Sequence, residues 1–143
     1  MGSNNANQIP IFANAGNMLP ASLGTTPNLT SDGSGTIVTL CTIATDGTII
    51  TGAVITNAQA TAALSSAMRI NLYASDAAGA NFRMIGQGLM ATATRSNSVL
   101  GSTLTITLPQ AYLGRSGQLI GICQSVYAGA QDLNHAYPLA SNY

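Results

Sequence analysis

Two stretches of this chain alternate apolar and polar residues with a period of two. In Met68–Tyr73 (MRINLY), Met68, Ile70 and Leu72 fall on one side, with Arg69, Asn71 and Tyr73 on the other. In Ser102–Leu108 (STLTITL), Leu104, Ile106 and Leu108 oppose the threonines. Successive side chains of an extended backbone point to opposite faces, so this is the pattern of strands with one buried face. The first stretch runs through a polar, small-residue turn, Ala74–Gly79, into a second apolar run, Asn81–Ile85. The pattern predicts a β-hairpin with a long loop, with Gly79 able to take positive φ. Its inward face is expected to be Met68, Ile70, Leu72, Phe82 and Met84. The outgoing strand continues through Gly86 and Gly88 toward Thr94, and those glycines signal a bulge or a close backbone approach.

The rest of the chain reads the same way. Asp32-Gly33-Ser34-Gly35 is a turn signal, and the β-branched run Thr36–Ile43 follows it at strand length. Asp46-Gly47 is a hairpin-turn dipeptide, with a second strand from Thr48 to Thr56. Residues 57–67 read as a loop, 95–98 as a turn and 112–117 as a further loop. Pro109 is expected to end the alternating strand before it. Gln118–Tyr127 is a mostly apolar strand, and residues 128–143 read as irregular. Six or seven short strands with evenly spaced turns and no long amphipathic helix predict an all-β fold. The expected architecture is a single antiparallel β-sandwich or jelly-roll-like domain over residues 32–143, with an extended N-terminal arm over residues 1–31.

The arm has no charged residue and carries Pro10, Pro20 and Pro27. Its apolar residues come in knots, Ile9, Ile11 and Phe12, then Met18 and Leu19, then Leu23 and Leu29. Disordered tails are usually charged and poor in apolar residues. This segment instead reads as an extended arm lying on something. About thirty extended residues reach on the order of 100 Å, far enough to cross onto a neighbouring subunit. Ile9, Ile11, Phe12, Met18, Leu19 and Leu23 are therefore candidate partner contacts.

Charge is scarce throughout. Only 6% of the 143 residues are charged, with four arginines (Arg69, Arg83, Arg95, Arg115) balanced by four aspartates (Asp32, Asp46, Asp76, Asp132). The surface must then be built of Ser, Thr, Asn, Gln and Gly, which are cheaper to desolvate than charges and suit close packing on other protein. Four scattered arginines make no basic patch, so no nucleic-acid partner is expected. No window approaches the roughly 20 apolar residues of a membrane span, and no signal-peptide pattern opens the chain. Synthesis in the cytoplasm and no membrane partner are the corresponding expectations.

Groups for chemistry are equally few. The one histidine, His135, stands three residues from Asp132 without a nucleophile-elbow motif, so a Ser-His-Asp triad is only formally available. No enzyme activity, cofactor or small-molecule substrate is expected. A metal site would need clustered ligands, and Asp76 reads better as a turn cap than as a Ca²⁺ ligand. Cys41 and Cys123 read as buried thiols, able to pair only if their strands are neighbours in suitable register. Arg69 and Arg83, on the two arms of the hairpin, read equally as solvated charges and as interface anchors, with Tyr73 beside them. Tyr73, Phe82, Tyr112 and Tyr127 would be needed for a sugar-binding shelf, and core packing is the commoner fate of such residues.

One resemblance adds to this. Asp32, Gly33, Gly35 and Thr36, then Asp46–Ile49, then the hairpin with Met68–Tyr73, Asp76, Asn81, Arg83, Met84 and Ile85, is similar to a pattern of small β-sandwich virion proteins of tailed bacteriophages. It covers roughly residues 32 to 90. The resemblance implies a capsid decoration (cement) protein on the outer capsid surface of the virion. It implies the major capsid protein and further copies of the chain as partners, commonly as a homotrimer at three-fold positions. Another virion part, such as a tail, neck or head-fibre subunit, is the second reading, and a carbohydrate-binding module the third.

Overall fold

The structure, a computed structural model, describes residues 20–59, 63–96 and 98–142. Eight strands form: β1 Ala21–Ser22, β2 Val38–Thr42, β3 Thr48–Asn57, β4 Met68–Ala74, β5 Arg83–Met90, β6 Thr103–Gly114, β7 Leu119–Gln124 and β8 Asn134–Asn142. A single 3-10 turn, Ala130–Asp132, precedes β8. One sheet has the order β1-β8-β3-β6 and the other β2-β7-β4-β5.

Every named pairing is antiparallel, and the partners nest: β1 with β8, β2 with β7, β3 with β6, β4 with β5. That is one long antiparallel hairpin rolled up so that β8 also meets β3 and β7 also meets β4. The result is an eight-stranded jelly roll in two packed sheets. Between the sheets lie Leu40, Ile43, Ile50, Ile55, Ile70, Leu72, Ile106, Ile120 and Ile122, all buried. Burying each such side chain is worth about 1.5–3 kcal/mol relative to leaving it exposed.

The expected hairpin is β4 and β5, with Gly79 at φ 76 in its loop. The two glycines of β5 allow close approach between layers. A Cβ at Gly86 would lie 2.7 Å from Leu108 Cδ2, and one at Gly88 2.9 Å from Leu104 Cδ2. Edge strand β5 therefore closes directly onto edge strand β6 of the other sheet. The ladder also shifts between Leu72 and Tyr73, where Ile85 is the extra residue.

Three sequence expectations are corrected. Pro109 does not end its strand; β6 runs on to Gly114. Because β6 is an edge strand, a missing N–H is tolerated there, and the chain bulges between Thr107 (opposite Gly52) and Tyr112 (opposite Ile50). The end of the chain is not irregular either: β8 pairs with β3 from Asn134 to Asn142. Finally, residues 20–31 are not free of the domain. Ala21 and Ser22 form β1, and Leu23 is buried in the chain's own core, so Leu23 is no partner contact. The arm residues Ile9, Ile11, Phe12, Met18 and Leu19 lie outside the described residues.

A polar plug closes one end of the sandwich. Asn134 Nδ2 donates to Gln124 Oε1 (2.9 Å), and Asn57 Nδ2 donates to Asn134 Oδ1 (3.0 Å) and Gln131 O (2.8 Å). Gln124 Nε2 donates to the carbonyls of Val126 and Asp132, both at 3.0 Å. All three side chains, with Asp132, are buried, and their mutual bonds offset the cost of removing them from water.

Candidate functional site: an uncharged sheet face

The two outer faces of the sandwich differ. That of β2-β7-β4-β5 is covered by the chain itself over β7 and β4, while Gln87 and Leu89 of β5 stay exposed. The segment from Asn28 to Ile37 straps across it: Asn28 N–H donates to Gln124 O (2.9 Å), and Arg69 Nη2 donates to Leu29 O (3.1 Å). Tyr73 Oη donates to Thr30 O (3.3 Å). Asn28 is buried and organises the strap, donating to Ser34 O (2.9 Å) and Thr36 O (3.0 Å) and accepting from Thr30 N (3.0 Å). Gly33, at φ 90, meets the Phe82 carbonyl where any Cβ would collide.

This strap overturns the alternation expected for the hairpin. Tyr73 is 0% exposed and Asn71 1%, so β4 is buried on both faces from Ile70 to Ala74. Tyr73 is therefore not a surface contact residue. Its hydroxyl accepts from Asn71 Nδ2 (3.1 Å), and burial pushes the phenol above its ordinary range. Arg69 is half-buried and committed to the strap. Arg83 is exposed, yet it pairs with Ala74 while Arg69 pairs with Leu89. Five residues of strand, about 17 Å, separate the two rungs, so they make no paired guanidinium site. Arg83 instead lines a cleft of about 360 Å³ with Tyr112, Gln118, Ile85 and the hairpin loop.

The remaining candidates stay dispersed. Asp76 caps its own loop, accepting from Ala78 N (3.0 Å), Ala80 N (2.9 Å) and Asn81 Nδ2 (2.6 Å). The Ala80 and Asn81 bonds hold its carboxyl below the usual range. Among the described residues, no three His, Cys, Asp or Glu side chains gather as a metal-binding group. The Asp132 carboxylate is taken up by Ser65 and Ala128, and His135 stands exposed on β8. Cys41 and Cys123 are free and buried; β2 and β7 are neighbours, but Cys41 sits opposite Ile120. No helix among the described residues is long and apolar enough to cross a membrane. The four aromatics of a sugar shelf do not converge: Tyr73 lies under the strap, and Tyr112 is half-buried, its hydroxyl accepting from Gln118 Nε2 at 2.9 Å.

The other outer face, that of β1-β8-β3-β6, has no such cover among the described residues. None of the residues in its four strands is Asp, Glu, Lys or Arg. The register aligns its outward side chains in rungs: Thr103, Thr56 and His135; Thr105, Val54 and Tyr137; Thr107, Gly52 and Leu139. Thr51, Thr56, Thr103, Thr105 and Thr107 are exposed. Tyr137 is 40% exposed and, across the bulge, Leu113 is 60% exposed opposite Ile49. Threonine satisfies two demands at once here. Its β-branch suits the strand, and its hydroxyl keeps the face wettable without a charge. The absence of charge was legible in the sequence; the assembly of these residues into one face was not, because β8 was unrecognised as a strand.

No protein-family model, no curated protein and no solved structure matches the chain.

Proposed function

We propose that this protein is a structural subunit of a phage virion, a capsid decoration protein that binds the outer surface of the head. One observation carries the reading: a four-stranded sheet face, threonine-rich, open among the described residues and without a single charged residue in its strands. A protein living as a free monomer keeps its surface charged for solubility. A neutral hydroxyl-bearing face is cheap to desolvate and suits burial against another protein. The resemblance of its turn and hairpin residues to those of small phage virion proteins suggests the kind of assembly.

Area sets the mechanism. Three strands at about 4.8 Å spacing over about 34 Å of β3, with the two residues of β1 added, give a face of roughly 520 Å². A standard interface takes about 800 Å² from each partner. The face alone falls short, and the charge-free arm, with Ile9, Ile11 and Phe12, supplies the remainder. Several such contacts, to the major capsid protein and to other copies in a homotrimer, multiply into attachment that does not reverse. Arg83, exposed beside its cleft, is an additional contact.

Immunogold labelling of virions from cells carrying the gene tests this. Label distributed over the heads is the expected result. Label confined to tails, or absent from virions, overturns it.

A further inference from the structure

Strand β5 turns one arginine toward the space between the sheets. Cross-strand partners share a face, so each rung of the β4–β5 ladder reports which way its residues point. Gly86 pairs with Leu72, a core residue. Plain alternation from Gly86 would put Arg83 on the outer face. The bulge at Ile85 shifts the phase by one, and Arg83 pairs instead with Ala74, which is buried in the core. Arg83 therefore stands on the inner face, exposed only because it lies at the end of the sandwich. Tyr112, opposite the core residue Ile50, lines the same cleft from the other sheet.

Most polar groups around this cleft are spent on holding it in shape. Gln118 Nε2 donates to Ser75 O (2.7 Å) and to Tyr112 Oη (2.9 Å), and its Oε1 accepts from Arg115 N (2.8 Å). Asp76 accepts three bonds from its own loop, one of them from Asn81 Nδ2 at the rim. Two donors remain. The Tyr112 hydroxyl accepts from Gln118 and so keeps its own proton to give. The Arg83 guanidinium makes no hydrogen bond to any described residue. Ile85 and Ala74 add an apolar wall. Free donors beside an apolar wall, in about 360 Å³, fit an acceptor-only group on a short apolar stem. Charge narrows the choice further. Asp76 feels the charge of Arg83, and the two together are neutral, which suits a monoanion better than a phosphate dianion. A carboxylate is such a monoanion, and a guanidinium meets it through two parallel bonds.

We propose that this cleft receives the acidic side chain, glutamate or aspartate, of a partner protein. Arg83 and the Tyr112 hydroxyl hold the carboxylate, and the methylene stem lies against Ile85. The chain has no Glu, and Asp32, Asp76 and Asp132 are each hydrogen-bonded in place, so a different protein is a better source than a second copy. The inference rests on the docking reading for the partner, since it names what Arg83 contacts there. The site itself is tested without any assembly, so its failure leaves that reading standing, and label absent from virions leaves the site standing.

The test is an NMR titration of the full-length protein at pH 7 with N-acetylglutamate methylamide, whose only charge is the side-chain carboxylate. Saturable shifts are expected at the Arg83 amide and the Gln118 side-chain amide, with a dissociation constant on the order of millimolar. The neutral isostere, N-acetylglutamine methylamide, should bind about tenfold more weakly or worse. Arg83→Gln, at an exposed position, should keep the rest of the spectrum and lose the shifts. Tyr112→Phe keeps the ring and should weaken binding about tenfold. No saturation in the parent protein overturns the proposal. Equal binding of the glutamine probe, or binding retained by Arg83→Gln, overturns it as well. Tighter binding of inorganic phosphate contradicts the choice of a carboxylate. Glutarate binding where the capped residue does not bind would make the ligand a free small acid and contradict the protein side chain.

Discussion

The carboxylate of Asp132 accepts both the backbone N–H (2.8 Å) and the hydroxyl (2.6 Å) of Ser65, sixty-seven residues earlier in the chain. A third bond comes from Ala128 N at 2.6 Å. The buried carboxylate thus ties the β3–β4 connection to the β7–β8 connection at the end of the sandwich closed by the polar plug.

This bond set predicts an acid-labile end. Desolvation, the largest influence, pushes the Asp132 carboxyl up, but the Ser65 hydroxyl and the Ala128 and Ser65 amides together bring it below its ordinary value of 3.8. A carboxyl lowered by folding stabilises above its unfolded pKa and loses that contribution as pH falls through the folded one. Asp132→Asn should cost about 1.5–3 kcal/mol at pH 7, since bonds to a charged acceptor are lost. Urea unfolding between pH 7 and pH 3 should show the two proteins converging in stability as pH drops. A constant gap would contradict the assignment.

Tyr73→Phe separates a structural role from a contact role. Losing the hydroxyl leaves buried Asn71 Nδ2 without its acceptor and frees the strap at Thr30. A loss of about 1–3 kcal/mol is expected, with partner binding unchanged wherever the fold persists. Denaturant melts and a pull-down with the assembled partner check both halves.

Gly88→Val should destabilise by about 1–3 kcal/mol, because the new side chain enters space held by Leu104 and Ile106. A chemical-denaturation midpoint equal to that of the parent protein would show that β5 does not close on β6 as described.

Burial pushes the Cys41 thiol up to about 11 and the Cys123 thiol upward as well. Neither should react with a thiol reagent at pH 8 in the native protein, because thiolate is the reactive form. Both should react in denaturant. Rapid native reaction of either would contradict its placement.

Much of the fold was legible because it is local. The alternation of Met68–Leu72 and Ser102–Leu108, the Asp46-Gly47 turn and Gly79 each carry their structure within a few residues. What escaped is non-local. Nothing near Tyr73 reports that residues 28–37 return to cover it, so an outward-phase residue proved buried. Pro109 and Pro138 argue against strands in isolation, yet Pro109 sits in the bulge of an edge strand and Pro138 where no strand among the described residues needs its N–H. Leu23, one apolar residue among polar ones, gave no sign that it belongs to the core. The uncharged face was half-visible: the missing charges could be counted, but His135, Tyr137 and Leu139 joined it only once β8 was seen as a strand.

The central claim is that the outer face of β1-β8-β3-β6 is buried in an assembly, and a single substitution reaches its middle. Thr105 is exposed in the rung with Val54 and Tyr137, so Thr105→Asp should change the stability of the isolated chain by no more than about 0.5 kcal/mol. Light scattering on the eluting full-length protein compares the two. The parent protein should elute as an oligomer, and Thr105→Asp, with its melting temperature retained, as a monomer. A parent protein that is monomeric at tens of micromolar, or a Thr105→Asp variant that assembles like it, would contradict the account.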